Sequence, residues 1–221
     1  MTYEQIKEKA ELIKWWHSID LTSDDGLVYT TKGEVDHCTE NIANNRFGMP
    51  LDLKGKTVLD IGCWDGYFSF LAEKRGGNVS GIDPLQGCSH FERGTDGFEF
   101  SRTVLNSKVD FYKFSLQDYY KTNQWDITLY YGVLYHVENP ITELKALSQC
   151  TKEYSLIETA ISQNDYGNKS VWEFNNGFDN DSTNFWYPNL KGLENALIYA
   201  GFNRMEVIYS DNIRCTVKAI K

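Results

Sequence analysis

Proline, cysteine and positive charge are in short supply in this chain, and it has no long apolar run. No stretch approaches the roughly 20 apolar residues of a membrane span. The opening MTYEQIKEKAELIKWWHSIDL breaks its apolar positions with charges, unlike a secretory signal. A cytoplasmic protein with no membrane partner is expected. Lysine and arginine number 22 against 31 aspartate and glutamate, for a formal net charge of -9. That balance disfavours a broad phosphate-binding face, since nonspecific nucleic-acid affinity comes from clustered cations displacing counterions. Cys38, Cys63, Cys88, Cys150 and Cys215 form no C-x-x-C pair, and their odd number argues against a complete disulfide framework. Reduced thiols and no bound metal follow as expectations. Repeats, low-complexity tracts and linker-like boundaries are also missing.

What remains is a chain of 221 residues, enough for one sizeable core with elaborations. Ile6, Ala10, Ile13, Leu12 and Trp16 recur at helical spacing and predict a helix over Glu4 to Trp16. The polar segment from Ser18 to Pro50 predicts one short helix, Val35 to Asn44, and a covering role. Residues 1–50 are therefore expected to form a helical extension or lid, and residues 51–221 the main domain. From Thr57 strands and helices alternate: TVLDIG, YFSFLAEKRG, NVSGID, an ambiguous segment to Ser107, VDFYKFS, WDITLYYG, ITELKALSQC and YSLIETA. Such alternation predicts an α/β fold, a parallel sheet with helices on both faces. The end differs. A helix in KGLENALIYAGF stops at Gly201, and RMEVIYS and IRCTVKAI flank Asp211-Asn212 as an antiparallel hairpin.

The stretch VLDIGCWDGYFSF places Gly62 and Gly66 between a strand and a helix, with Trp64 where dinucleotide-binding turns carry a middle glycine. Asp60 and Asp65 add negative charge where a pyrophosphate would want none, so the turn suits a cationic or zwitterionic ligand. Asp83 ends the next strand, where an acceptor-only carboxylate can take both hydroxyls of a ribose. The ligand thus expected has a ribose and no phosphates, a description that S-adenosylmethionine meets.

At these residues the chain resembles the class I S-adenosylmethionine-dependent methyltransferases, with their Rossmann-like fold, from about Thr57 to the C-terminus. DIGCWDG is similar to their first motif, with Trp64 departing from it, and GIDP to their second. YYGVLYHVENP and FWYPNLKGLENALIYAGF resemble the branch that contains the tRNA wobble-uridine carboxymethyltransferases and related enzymes of unassigned substrate. The resemblance implies S-adenosylmethionine as cofactor, held around Asp60, Gly62, Cys63, Trp64, Gly66, Asp83 and Pro84. It implies an adenine flanked by Leu116 and Gln117, with Asp118 either beside them or capping the next helix. Tyr131 and Gly132 would approach the methionine part, Tyr135 would contact the cofactor tail, and Arg214 matches an arginine that serves a carboxylated cofactor in that branch.

Methyl transfer from an activated sulfonium asks mainly for alignment, plus removal of a proton when the acceptor is a hydroxyl. His136, after the strand-end tyrosines, is the candidate base because histidine titrates in the working pH range. Trp16, His17 and Glu158 are candidate substrate contacts. So are the aromatics of a long insert from Ser162 to Pro188, Trp172 and Trp186 among Phe174, Phe178, Phe185 and Tyr187. Only Lys169 offers that insert a cation for phosphates, so a small-molecule acceptor is favoured over nucleic acid. The tRNA reading is the alternative. Against it, WWHSIDL lacks the lysine that the wobble-uridine enzymes carry ahead of the first strand. A dinucleotide-dependent oxidoreductase and a noncatalytic scaffold stand further off, disfavoured by the missing glycine and the terminal hairpin.

Overall fold

The N-terminal periodicity does make a helix, α1 (Tyr3–Ala10), but one that stops short of its predicted end at Trp16. The computed structural model describes residues 1–35, 39–84, 94–177 and 181–221. Thr2 opens α1 with a capping box, its side chain accepting from the Gln5 amide while the Gln5 side chain accepts from that of Thr2. At the other end the Trp15 indole donates to the Ala10 carbonyl at 2.9 Å, satisfying a helix-end acceptor and turning the chain. Trp15 to His17 then form a strand, β1, instead of a last helical turn.

Short strands follow, β2 (Asp20–Thr22), β3 (Val28–Thr30) and β4 (Gly33–Val35). β1 pairs parallel with β4, and β2 antiparallel with β3. The predicted helix Val35 to Asn44 is corrected accordingly. Val35 ends β4, residues 36–38 lie outside the described residues, and α2 runs Glu40–Asn45 behind a Thr39 cap.

The main sheet is built from β5 (Thr57–Ile61), α3 (Tyr67–Lys74), β6 (Asn78–Ile82), α4 (Gly94–Val104), β7 (Asp110–Tyr112), α5 (Leu116–Tyr119) and β8 (Trp125–Tyr131). A 3₁₀ turn (Leu134–His136) leads into α6 (Pro140–Cys150), whose proline stands where a helix needs no amide, and β9 (Thr151–Ala160). The insert carries a small hairpin, β10 (Trp172–Phe174) with β11 (Trp186–Pro188), before α7 (Leu190–Ala200), β12 (Arg204–Ser210) and β13 (Arg214–Ile220). Asn189 caps α7, and Gly201 ends it in the left-handed region.

Strand order is β12-β13-β9-β8-β5-β6-β7. β9, β8, β5, β6 and β7 are parallel, while β13 runs antiparallel to both its neighbours, β9 and β12, as the terminal hairpin predicts. The order reverses at β5, whose sequence successor β6 lies on one side and β8 on the other. Ligands of open α/β sheets bind at that reversal, beyond the carboxyl ends of the strands.

Neighbouring residues of a strand face opposite sides of the sheet, so both faces of β5 and β8 are packed. Leu59 and Tyr130 join a core with α6 and α7, whereas Val58 and Tyr131 join another with α3. A third cluster, Ile6, Trp15, Leu21 and Tyr29, packs on Tyr67, Phe100 and Val104 and seats the N-terminal segment against α3 and α4. Cys63, Cys150 and Cys215 are buried free thiols; Cys38 and Cys88 lie outside the described residues.

Candidate functional site

The turn after β5 depends on its glycines. Gly62 and Gly66 have φ of 71° and 91°, and a Cβ on Gly66 would stand 2.4 Å from the Phe70 ring. Trp64 also lies in the left-handed region, at φ 53°, a conformation that costs a non-glycine residue about 1–3 kcal/mol and recurs at ligand-binding turns. The Ile82 carbonyl accepts from the Gly62 and Cys63 amides at 2.8 and 3.2 Å, and Asp83 accepts from the Trp64 amide at 3.1 Å. The Asp83 carboxylate, 6% exposed, thereby stands beside the turn at the carboxyl end of β6. Pro84 follows it at the surface. The Trp64 ring packs toward Trp16, centroids 6.5 Å apart.

Asp65 corrects one expectation. Its charge is not presented to a ligand but is used by the N-terminal segment. Only 1% exposed, it accepts from the backbone amides of Trp16 and His17 at 3.0 and 2.8 Å, and its other oxygen lies 2.5 Å from His17 Nδ1. The His17 ring also stacks on Tyr67. This carboxylate is why the helix cannot continue to Trp16, since a further helical turn would tie up the amides it needs. Trp16 itself remains 41% exposed.

Asp60 is buried beneath the turn and accepts from Ser69 Oγ at 2.6 Å; burial pushes its carboxyl up to about 6. Burial, with Asp60 and Asp83 nearby, holds the Cys63 thiol well above its ordinary value, which removes it as a nucleophile.

Across the crevice, the buried Tyr131 hydroxyl donates to the Phe47 carbonyl at 3.0 Å. Gly132 has φ 71°, and a Cβ there would meet only the Tyr135 hydroxyl, at 3.5 Å. Arg214 pairs bidentately with Glu158, at 2.5 and 3.0 Å, and donates to the Tyr135 hydroxyl at 2.9 Å. Burial alone would lower its pKa, but the Glu158 and Tyr135 bonds outweigh that and the net direction is up. Glu158, 2% exposed, also faces Arg46 at 3.7 Å.

His136, in the turn after β8, is half-buried, with Nδ1 2.9 Å from Thr183 Oγ1 and 3.2 Å from the Thr183 carbonyl. Burial holds its pKa below the usual histidine value. Leu116 is buried in the core, and the exposed Gln117 donates to Glu143 at 2.7 Å. Asp118 accepts from Ser115, the cap of α5.

The insert lies over the turn that carries His136. The Phe185 amide donates to the Tyr135 carbonyl at 2.8 Å and the Trp186 indole to the Glu138 carbonyl at 3.2 Å. Trp172 packs on the core, while Phe174 and Phe185 stack edge-offset with parallel rings. Phe178 lies outside the described residues. Sequence reasoning missed Arg46, Ser69, Thr183 and Asp181. Each sits in a segment with no periodicity or motif to single it out, apart from Ser69 one helical turn after the glycines.

Among the described residues no helix is long and apolar enough to cross a membrane, and no three His, Cys, Asp or Glu gather as a metal site. At the carboxyl ends of β5, β6 and β8 the Asp83 carboxylate stands beside the left-handed backbone of Gly62 and Gly66, and Gly132 faces the Tyr135 hydroxyl. An acceptor-only carboxylate at that place suits the hydroxyls of a ribose and suits a pyrophosphate poorly.

A family model described as a methyltransferase domain matches residues 37–207. The tRNA U34 carboxymethyltransferase of Sulfurovum sp. (strain NBC37-1) is 25% identical over 209 residues, covering 93% of this chain and 65% of that protein. The enzyme of the same description from Azotobacter vinelandii (strain DJ / ATCC BAA-1303) is 32% identical over 165 residues, covering 71% and 48%. The chain thus spans about half to two thirds of the length of these relatives. Among solved structures, the N-terminal domain of EvdMO1, in the presence of SAH and D-fucose, aligns with a TM-score of 0.69 at 17% identity, covering 99% of this chain and 96% of that one. Magnesium protoporphyrin IX methyltransferase from Synechocystis PCC 6803, with bound SAM, aligns at 0.56 and 16% identity, covering 76% and 71%. At such identities the likeness is one of fold.

Proposed function

This chain belongs to the S-adenosylmethionine-dependent methyltransferases of class I, and from that membership we propose that it methylates a hydroxyl of a small-molecule acceptor. The observation that carries the reading is His136, half-buried at the carboxyl end of β8 and held toward its neutral form by burial, where it can take a proton. The cofactor supplies a methyl group already activated on a sulfonium. Asp83 holds its ribose, the Gly62 to Gly66 turn and Gly132 accommodate its amino-acid tail, and the chain around Leu116 and Gln117 borders its adenine. Tyr135, fixed by Arg214, forms the rim between this crevice and the acceptor, and Trp172 and Trp186 hold the insert over it. The N-terminal segment, tied to the turn through Asp65, serves as a lid.

The charge of the surroundings supports a small acceptor. Between Ser162 and Pro188 only Lys169 is basic, against Asp165, Glu173, Asp179 and Asp181. A second reading, tRNA wobble-uridine carboxymethylation, is favoured by the relatives at 25–32% identity and by the Tyr135–Arg214 pair. Weighing against it, Glu158 and Tyr135 already take the Nε and Nη2 donors of Arg214 and Glu158 balances its charge, which leaves a carboxylated cofactor only the Nη1 side of a guanidinium already paired. The test is methyl transfer from S-adenosylmethionine to metabolite extract and to total tRNA, read by mass. A methylated metabolite supports the small-molecule reading. Modification of tRNA alone overturns it.

A further inference from the structure

The insert does more than cover the crevice. We propose that Thr183 and Asp181 are positioning residues that lock the His136 ring in one tautomer, with hydrogen on Nδ1 and Nε2 bare. The argument is one of donors and acceptors. The Thr183 carbonyl, 3.2 Å from Nδ1, can only accept. Thr183 Oγ1, 2.9 Å from Nδ1, gives its own hydrogen to Asp181 Oδ1 at 2.6 Å, so toward the ring it too must accept. Both neighbours of Nδ1 therefore require a hydrogen on it. The same Asp181 oxygen accepts from the Thr183 amide at 2.8 Å, which holds the carboxylate where it takes the hydroxyl's hydrogen. The Phe185 amide, donating to the Tyr135 carbonyl, pins the insert to the turn that bears the ring.

A histidine so held leaves Nε2 as the ring's acceptor, for a hydrogen bond or a proton. This deepens the reading of His136 as the base and rests on it. The proton of the acceptor hydroxyl passes to Nε2 and its electron pair stays on oxygen. The imidazolium formed keeps its Nδ1–H on both Thr183 acceptors with the Asp181 carboxylate behind them. The charged groups bearing on the ring are Asp181, which favours the imidazolium, and Arg214, which opposes it; the Tyr135 ring lies against it at 4.2 Å.

Histidine-ring ¹⁵N correlation spectra of the whole chain test the lock without any acceptor, with His136→Gln assigning the signals among four histidines. In the wild type, above the ring's titration, Nδ1 carries the hydrogen and Nε2 does not. Thr183→Val removes the nearer acceptor and leaves only the carbonyl at 3.2 Å, so a share of the opposite tautomer appears, Thr183→Ser restores the wild-type pattern, and Asp181→Ala lowers the ring's titration midpoint. A wild-type ring protonated on Nε2 overturns the proposal, as does a folded Thr183→Val protein with an unchanged spectrum. If Thr183→Val fails to fold, an Asp181→Ala protein with unchanged tautomer and midpoint overturns it equally. The two ideas fail separately. A locked Nδ1–H ring in an enzyme indifferent to His136→Ala sinks the base and leaves the lock standing. A mixed tautomer in an enzyme that loses turnover on His136→Ala does the reverse.

Discussion

Replacing Asp65 by alanine removes the acceptor of two backbone amides and of the His17 ring. Hydrogen bonds to a charged group contribute about 1.5–3 kcal/mol each, but they are not additive here, because the strand can lift off and offer its amides to water. The apolar contacts of Ile6, Trp15 and Leu21 stay in place and keep the rest of the segment docked. The expected effect is therefore local: opening of β1 becomes easier by about 3 kcal/mol, roughly two of those bonds less than fully counted. Hydrogen exchange at Trp16 and His17 should accelerate on the order of a hundredfold, since about 1.4 kcal/mol is tenfold, while the amides of β5 and β8 keep their protection. Asp65→Asn should cost less, because its carbonyl oxygen can still accept from both amides. If the segment is a lid, S-adenosylmethionine should bind Asp65→Ala at least about tenfold more weakly in calorimetry. Unchanged exchange at residues 16 and 17 would refute the latch, and faster exchange with unchanged affinity would refute the lid.

Deleting residues 1–20 should abolish cofactor binding if the lid reading holds, with the circular dichroism of the remaining domain retained. Asp83→Ala should weaken S-adenosylmethionine binding by at least about 1.5 kcal/mol, because a charged acceptor of hydroxyls is lost; equal calorimetric affinity in a folded variant would exclude Asp83 from the ribose site. Gly66→Ala should lower stability to urea by about 2 kcal/mol or more, from a left-handed backbone and the Phe70 contact together, a loss that thermal melting would also register. For Asp60 the folded pKa is raised, from 3.8 to about 6, so the folded state binds the extra proton and this group's contribution to stability is lost as pH rises from about 4 to 6. That shift corresponds to about 3 kcal/mol, and Asp60→Asn should gain on the wild type across this window in denaturant titrations; parallel pH profiles would show that Asp60 titrates normally.

Much of this protein is determined by local pattern. The strands from Thr57 onward, the glycine turn with Asp60 at its start, the helix stop at Gly201 and the terminal hairpin follow from periodicity and backbone stereochemistry within a few residues, and all are present in the fold. Tertiary structure decided what those patterns could not encode. Whether the N-terminal helix runs to Trp16 depends on Asp65, 48 residues from His17, which takes amides a helix would have used. A motif resemblance singles out Arg214, but its partner is set only when β13 lies beside β9 and brings Glu158, 56 residues away, against it. Thr183 and Asp181 stand in an insert without periodicity, and only its docking on the turn after β8 sets them against His136. Hydrogen-bond partners across such separations are chosen when the elements pack, because a buried carboxylate or ring nitrogen must be satisfied by whatever the topology sets beside it.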